Sequence, residues 1–360
     1  MKANGEMLRL ARQRKRFRQI EAARRLGVEQ PFLSRMENGL ADISDEVLVQ
    51  AESVYEIPRS FFHLTDPVLG APVSVHPMWR RKADVTAREL DGVVAELNIR
   101  VMHLRRFLES VELAYSANVP RLDIDDYNHP EEVAGIVRAH WKIPRGPLKD
   151  LTAVVERAGV LVVHSSLGGA SISGVTFSAP GAPPLVVLNR DQPADRMRFT
   201  LAHELGHLVM HRFPSPEMEK EANEFASALL MPTGDIRPLF KGRRIDLALL
   251  AAMKPEWKVA MQALLMRATT LECLTKNQAQ YLWKQISARR MRLREPAELD
   301  FPHENPTAVA TIVRMHREAL GFSSEELSQL LHIHEYEIQD MYPLDKPEPQ
   351  PRRPRLTIMK

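Results

Sequence analysis

The fold of this chain is constrained most by one stretch, RFTLAHELGHLVMHRFPSPEMEKEANEFASALLMP at residues 198–232. It contains His-Glu-x-x-His at His203, Glu204 and His207 within a helical pattern. Residues four apart on an α-helix differ by about 40° around its axis, so both imidazoles can face one metal ion. Glu204 then lies beside that ion, where a carboxylate can take a proton from an activated water. The motif therefore predicts a metal site with Glu204 as general base.

A catalytic metal site usually takes three protein ligands and leaves one position for water, so a third side chain is needed. After a break at residues 213–216, a second helical run carries Glu219 and Glu221 in its first turns. Its apolar stripe, which must face the core, consists of Ala222, Phe225, Ala226, Leu229 and Leu230. Antiparallel packing on the first helix would bring one of these glutamates to the metal. A glutamate three or four positions before the stripe lies on its side, which favours Glu219 over Glu221.

Two other polar side chains lie close to the predicted ligands in sequence. Asn223 follows Glu219 by four residues and can place an amide beside a ligand. His211 repeats the four-residue spacing of the motif. It either supports the site or is a partly buried histidine at a helix end, and the second interpretation is the simpler one.

The segments HELGHLVMH and EKEANEFASALLMP resemble the ImmA/IrrE family of zinc metallopeptidases. In that family two motif histidines and a glutamate of the next helix bind zinc, and the motif glutamate is the catalytic base. The resemblance assigns these roles to His203, His207, Glu219 and Glu204, and it extends over residues 125–290. It implies a zincin-like endopeptidase domain whose cofactor is Zn²⁺, although the same donors also accept Mn²⁺.

The first 40 residues are basic, with ten Lys and Arg side chains against four Glu, a net charge of +6, whereas the whole chain carries +3. Such an excess on a small helical unit favours contact with phosphate backbones. Helical patterns at residues 5–16, 19–26 and 30–37, with a turn at Gly27, predict a helix-turn-helix. The alternative is a helical packing module with a solvated basic face.

The stretch FRQIEAARRLGVEQPFLSRMENG resembles Xre-type, or Cro/C1-type, DNA-binding domains, and residues 1–66 cover a five-helix domain of that kind. In such domains the third helix enters the major groove, and dimers bind two-fold operators. The residues that the resemblance assigns to the groove are Gln30, Pro31, Ser34 and Arg35. Those assigned to phosphates are Gln19 and Asn38. Glu29 and Pro31 depart from the family pattern, so no operator sequence is predicted.

The remaining patterns predict a mainly α fold with a small antiparallel β-sheet, an α+β class. A linker is expected at residues 67–84, and a long helix within residues 85–120 is either an intramolecular brace or a dimer contact. Three strands are predicted before the motif helix, at residues 160–164, 171–178 and 185–189. Within the second, residues 172–177 are the candidate exposed edge that holds an extended substrate.

Beyond the motif, residues 247–267 have the outline of a second helix-turn-helix inside the peptidase-like segment. Its Trp257 and Leu264 are predicted to be core residues and not DNA readers. Residues 291–342 are expected to form C-terminal helices, and the proline-rich tail at residues 343–360 is expected to be extended or disordered.

Composition favours a cytoplasmic protein. A lone cysteine, Cys273, excludes an internal disulfide framework and fits a reducing compartment. No signal peptide and no membrane contact are expected, because the N-terminal residues are charged and no apolar run approaches the roughly 20 residues needed to cross a bilayer.

Two functional hypotheses follow from the two resemblances. In the first, the chain is a homodimeric transcription regulator that binds a double-stranded DNA operator and whose zinc peptidase domain cleaves an Xre-type repressor. In the second, it is a regulator or the antitoxin of a toxin and antitoxin pair, and the peptidase-like domain is a sensor or interaction module without significant proteolysis. Metal content and a cleavage assay discriminate between them.

Overall fold

The computed structural model of the protein describes residues 2–70, 86–113, 115–167 and 172–342. The predicted linker from residue 71 onward and the proline-rich tail lie outside the described residues. Within the described ranges, no helix is both long enough and apolar enough to span a bilayer.

The N-terminal unit is a five-helix bundle, as predicted. Its helices are α1 (Gly5–Arg14), α2 (Gln19–Leu26), α3 (Gln30–Glu37), α4 (Asp45–Tyr55) and a 3-10 helix (Arg59–His63). Gly27 ends α2 because its φ of 71° lies in the left-handed region that favours glycine. α2 and α3 pack on each other through buried Ala22, Ala23 and Leu33, which sets the helix-turn-helix geometry.

The long helix α5 (Ala87–Ser110) begins at Thr86, which forms a capping box with Glu89. It ends well before the limit of the predicted range 85–120, because Val111 is already in extended conformation with φ of −133°. α5 packs against α1 and against a C-terminal helix, and its middle turns are buried. It is therefore an intramolecular brace, while the dimer contact stays a prediction.

A short sheet follows, with strands β1 (Leu161–Ser165), β2 (Gly174–Phe177) and β3 (Leu185–Asn189) in the order β1-β3-β2. β2 pairs antiparallel with β3, but β1 pairs parallel with β3, so Leu161 lies opposite Leu185. The prediction of a purely antiparallel sheet is therefore wrong. The physical signal was present, because apolar runs such as those of β1 and β3 are typical of parallel strands covered on both faces.

Both faces of the sheet are covered by helices. On one face, Val163, Val175 and Val187 pack into a hydrophobic core that also contains Leu8 of α1 and Leu97 of α5. On the other face lies a second core, formed with the helices of the peptidase-like segment; the strand residues in it are Val162, Val186 and Leu188. The first core therefore runs without interruption from the N-terminal bundle to the sheet.

β2 is an edge strand, as predicted, but it is not exposed. All four of its residues are buried, and it lies against the motif helix. The prediction that residues 172–177 form an exposed edge is therefore wrong, because the side chains of this strand are packed against its neighbours. Pairing of a substrate with this strand stays a prediction.

The motif helix is α8 (Ala194–Met210), and the next helix is α9 (Met218–Leu230). Gly206 allows these helices to approach, because a Cβ there would lie 3.1 Å from Phe225 Cδ1 and 3.3 Å from the Ala222 backbone. The predicted stripe of α9, including Ala222 and Phe225, is buried at this crossing. Helices α6 (Pro130–His140) and α7 (Leu151–Arg157) precede the sheet.

The helices after α9 complete the second core and then return to the first. They are α10 (Thr233–Phe240), α11 (Leu247–Trp257), α12 (Met261–Thr270), α13 (Lys276–Ala288), α14 (Ala308–Arg314), α15 (Ser324–Leu331) and α16 (Glu335–Met341). Trp257 and Leu264 are buried core residues, as predicted for the appendage. Lys254 of α11 is buried and donates to Asp195 (2.6 Å) and Glu295 (2.8 Å), which ties this region to the start of α8.

Polar contacts fasten the N-terminal bundle to the rest of the chain. Arg14 of α1 donates to Glu337 of α16 at 2.6 Å. Arg100 of α5 is buried and donates to Ser165 Oγ at the end of β1 and to the Met341 carbonyl, at 3.2 and 3.3 Å. The N-terminal bundle is thus part of one packed structure with the sheet and the C-terminal helices.

The helix crossing at Gly206 yields a stability prediction. Replacing Gly206 by Leu should lower the free energy of unfolding by about 1–3 kcal/mol, because the added atoms push α9 away from α8. Gly135 of α6 is a matched control, since it is exposed and a Cβ there meets nothing within 4 Å. Gly135→Leu should raise helix stability by up to about 1 kcal/mol. Thermal unfolding of the full chain measures both, and equal stability of the two variants would contradict the close approach.

Candidate metal centre and nucleic-acid interface

The structure brings the three predicted metal ligands together. The Nε2 atoms of His203 and His207 lie 3.0 Å apart. Glu219 of α9 places its carboxylate oxygens 3.2 Å from His207 Nε2 and 3.8 Å from His203 Nε2. All three ligand atoms lie within 4.8 Å of one another.

This donor set fits a divalent metal ion. Two ligand atoms bound to a tetrahedral zinc-sized ion at about 2.1 Å lie about 3.4 Å apart. The 3.0 Å between the two Nε2 atoms, and the 3.2 and 3.8 Å from these atoms to the two different oxygens of Glu219, lie close to that value. A divalent ion between the two Nε2 atoms would accept a lone pair from each ring. Burial, together with His207, lowers the pKa of His203, which favours the neutral ring that a metal requires.

Glu219, and not Glu221, is the glutamate that reaches the two motif histidines, His203 and His207. Both lie in the first turns of α9, but the helix crossing aims them at different histidines. Glu221 Oε2 lies 3.1 Å from Nε2 of His211, outside the three-residue cluster. Burial and nearby carboxylates raise the pKa of Glu221.

Each candidate histidine ligand also has a polar partner on its other ring nitrogen. His203 Nδ1 lies 3.1 Å from the Asn223 side-chain oxygen, and Asn223 Nδ2 donates to the Glu219 carbonyl at 2.7 Å. The Asn223 amide therefore lies beside two candidate ligands, as the sequence predicted. His207 Nδ1 lies 2.9 Å from Nδ1 of His211, which is buried at the end of α8. Burial lowers the pKa of His211 to about 4.

The predicted base, Glu204, is buried beside the sheet. Its carboxylate accepts a hydrogen bond of 2.6 Å from the Thr176 hydroxyl of β2. Gly174 lets β2 approach α8, because a Cβ there would lie 2.6 Å from Thr200 Cγ2. Sequence reasoning missed Thr176, because the predicted strand at 171–178 has several hydroxyl side chains and nothing in the sequence distinguishes this one.

The helix-turn-helix is organised around a buried ion pair that sequence reasoning also missed. Arg12 donates to both carboxylate oxygens of Glu37, at 2.6 and 2.9 Å. Gln19 donates to Glu37 at 2.8 Å, and Gln30 donates to the Gln19 side-chain oxygen at 2.9 Å. These bonds place the first residues of α2 and α3 side by side. The amides of Gln19 and Gln30 are therefore held in position before any DNA is present.

The other predicted DNA readers lie along α3. Pro31, Arg35 and Asn38 are exposed, and Ser34 is half-buried. Asn38 Nδ2 donates to the Ser34 carbonyl at 2.8 Å. Exposure on this helix agrees with a role in the groove, and the individual assignments stay predictions.

Comparison with protein families supports both parts of the chain. Residues 155–269 match the model of a peptidase family described as the IrrE N-terminal-like domain. Residues 8–62 match a helix-turn-helix family model. The two predicted resemblances are confirmed over these segments, which lie inside the predicted ranges 125–290 and 1–66. A comparison with curated proteins found no match.

Removal of a single predicted ligand should abolish stoichiometric metal binding. We expect that His203→Ala and Glu219→Ala lose the divalent ion during dialysis, because two protein ligands hold it much less tightly than three. Glu224→Ala is the matched control, since Glu224 is an exposed acid on the same helix. Elemental analysis gives the metal content, and one retained ion per chain in Glu219→Ala would contradict the ligand assignment.

Proposed function

We propose, from the premise that this chain joins a helix-turn-helix domain to a domain of the IrrE peptidase family, that it is a DNA-binding transcription regulator with a zinc-dependent endopeptidase activity. The observation that carries the proposal is the convergence of His203, His207 and Glu219 beside the buried carboxylate of Glu204. All four residues lie within the segment that matches the peptidase family. The proposed substrate is a repressor-type helix-turn-helix protein.

The proposed roles of the side chains follow from their positions. His203, His207 and Glu219 would hold Zn²⁺, or Mn²⁺, which when bound lowers the pKa of water and polarises the substrate carbonyl. Glu204 accepts the proton of the attacking water on a carboxylate oxygen and passes it to the leaving amine. The Thr176 hydroxyl donates a hydrogen bond of 2.6 Å to Oε2 of Glu204 and thereby orients this carboxylate.

The N-terminal half is proposed to bind a double-stranded operator, with the exposed side of α3 in the major groove. The buried pair Arg12–Glu37 and the bond from Gln30 to Gln19 support this, because they pre-organise both amides. Gln30, Pro31, Ser34 and Arg35 are the proposed groove residues. Gln19 and Asn38 are the proposed phosphate contacts, and a dimer on a two-fold operator is expected.

A second candidate function is that of a sensor or antitoxin in which the peptidase fold seldom cuts. A cavity of about 1010 Å³ lies beside α8, α9, α12 and α13 and favours this reading. Its lining includes Asn223, the neighbour of His203, together with apolar Phe199, Met266 and Trp283. None of the three candidate metal ligands lines it. A ligand in this cavity would lie next to Asn223, which contacts His203, and not against the candidate metal ligands themselves, which suits a signal better than a substrate.

The base assignment is tested by Glu204→Gln. This variant should cleave at least about a hundredfold more slowly than the wild type, because an amide cannot accept the proton. Metal content and DNA binding should be unchanged. The assay uses purified repressor-type helix-turn-helix proteins as candidate substrates. Undiminished proteolysis by the variant would refute the assigned base, and metal without any cleavage by the wild type would favour the sensor.

The groove assignment is tested by Arg35→Ala. Loss of a guanidinium that reads a base edge should weaken the specific complex by about 1–3 kcal/mol and reduce the preference over unrelated DNA. Arg289→Ala is the control, because Arg289 is also an exposed arginine but follows α13, outside the helix-turn-helix. Fluorescence anisotropy compares a duplex selected from a random library with an unselected duplex. Unchanged affinity and preference would remove Arg35 from the recognition surface.

A further inference from the structure

A chain of polar contacts leads from one candidate ligand to a carboxylate on the neighbouring helix. His207 Nδ1 lies 2.9 Å from His211 Nδ1, and His211 Nε2 lies 3.1 Å from Glu221 Oε2. The first two residues lie at the end of α8 and the third on α9. His211 is buried, and only 23% of the Glu221 side chain is exposed. These contacts therefore lie in a largely water-free region, where water competes little with the hydrogen bonds.

Only one proton arrangement satisfies this chain when His207 binds a metal. The Nε2 atom of His207 then carries no proton, so Nδ1 of the same ring is N–H and donates. His211 Nδ1, 2.9 Å away, must be the acceptor, because two donors cannot share a bond. His211 Nε2 is consequently N–H and donates to Glu221. The carboxylate at one end and the metal at the other thus select the same tautomer of both rings.

The two ligand histidines are supported differently. His203 is held by a neutral amide, Asn223, through a single bond of 3.1 Å. His207 is held by a second imidazole that in turn reaches a carboxylate. A partner of this kind fixes the ring orientation and raises the basicity of the ligand nitrogen. The support of His207 therefore ends in a charged group, whereas that of His203 does not.

We propose that His211 and Glu221 are positioning residues that hold His207 in the orientation and tautomer needed for metal binding. This inference rests on the proposed function, since it requires that His203, His207 and Glu219 hold a metal ion. It gives a role to Glu221, the glutamate that does not reach the metal site: Glu221 orients His211, which in turn orients the ligand His207. It also distinguishes His211 from a histidine that merely fills space at a helix end.

The test is the affinity of the full chain for Zn²⁺, measured by competition with a chromophoric chelator. His211→Phe keeps an aromatic ring but has no nitrogen to accept from His207, and Glu221→Ala removes the terminal carboxylate. Each should weaken zinc binding by about 10–100-fold. The double variant should bind no more weakly than His211→Phe alone, because Glu221 acts through His211. Glu224→Ala, a matched loss of an acid on the same helix, should bind zinc as the wild type does.

A rescue variant separates positioning from packing. His211→Gln offers an amide oxygen to His207 Nδ1 and should recover part of the affinity that His211→Phe loses. Thermal unfolding of the metal-free chains shows which variants fold. If the His211 variants do not fold, the zinc affinity of Glu221→Ala by itself tests the positioning role. Wild-type affinity in Glu221→Ala, or additive losses in the double variant, would overturn the proposal. If the wild type itself binds no zinc, the proposed function fails first, and the two failures are thereby distinguished.

Discussion

The close packing of α8 on α9 is the constraint on which the candidate site depends. Two histidines on one helix supply only part of a metal site, and the third donor must come from another segment. Gly206 leaves the space that Ala222 and Phe225 of α9 occupy. This approach places the Glu219 carboxylate 3.2 Å from His207. The same approach brings Asn223 to His203 and Glu221 to His211, so one helix crossing arranges both the candidate ligands and their partners.

The sheet links this crossing to the DNA-binding half. One of its faces belongs to the core of the peptidase-like segment, and the other belongs to a core that continues into α1 and α5. β2 carries Thr176 to the Glu204 carboxylate, while the end of β1 accepts a bond from Arg100 of α5. A change near Glu204 thus lies one thin sheet away from the helices that support the helix-turn-helix.

Local patterns predicted much of this organisation and failed where pairing between distant segments decides. The bounds of α2, α3 and β3 agree with the sequence patterns, because capping residues and apolar periodicity act within a few residues. The sheet was predicted as antiparallel, and β1 instead runs parallel to β3, since strand order depends on which faces are covered. α5 ends at Ser110 although the helical pattern extends further. Thr176 and the pair Arg12–Glu37 were missed, because their partners lie 28 and 25 residues away in the chain.

The sequence by itself determined the kinds of chemistry available to this protein. The relevant features are local: a four-residue histidine spacing, a following acidic helix and a basic helix-turn-helix pattern. Such features can be interpreted without knowledge of the fold. The apolar stripe of the second helix also favoured Glu219 over Glu221 as the third ligand. Only the tertiary structure brought the Glu219 carboxylate to 3.2 Å from His207, buried Glu204 beside Thr176, and joined His207 to His211 and Glu221. The physical reason is that side-chain direction across a helix crossing depends on how closely and at what angle the helices pack, which no periodicity within one helix specifies.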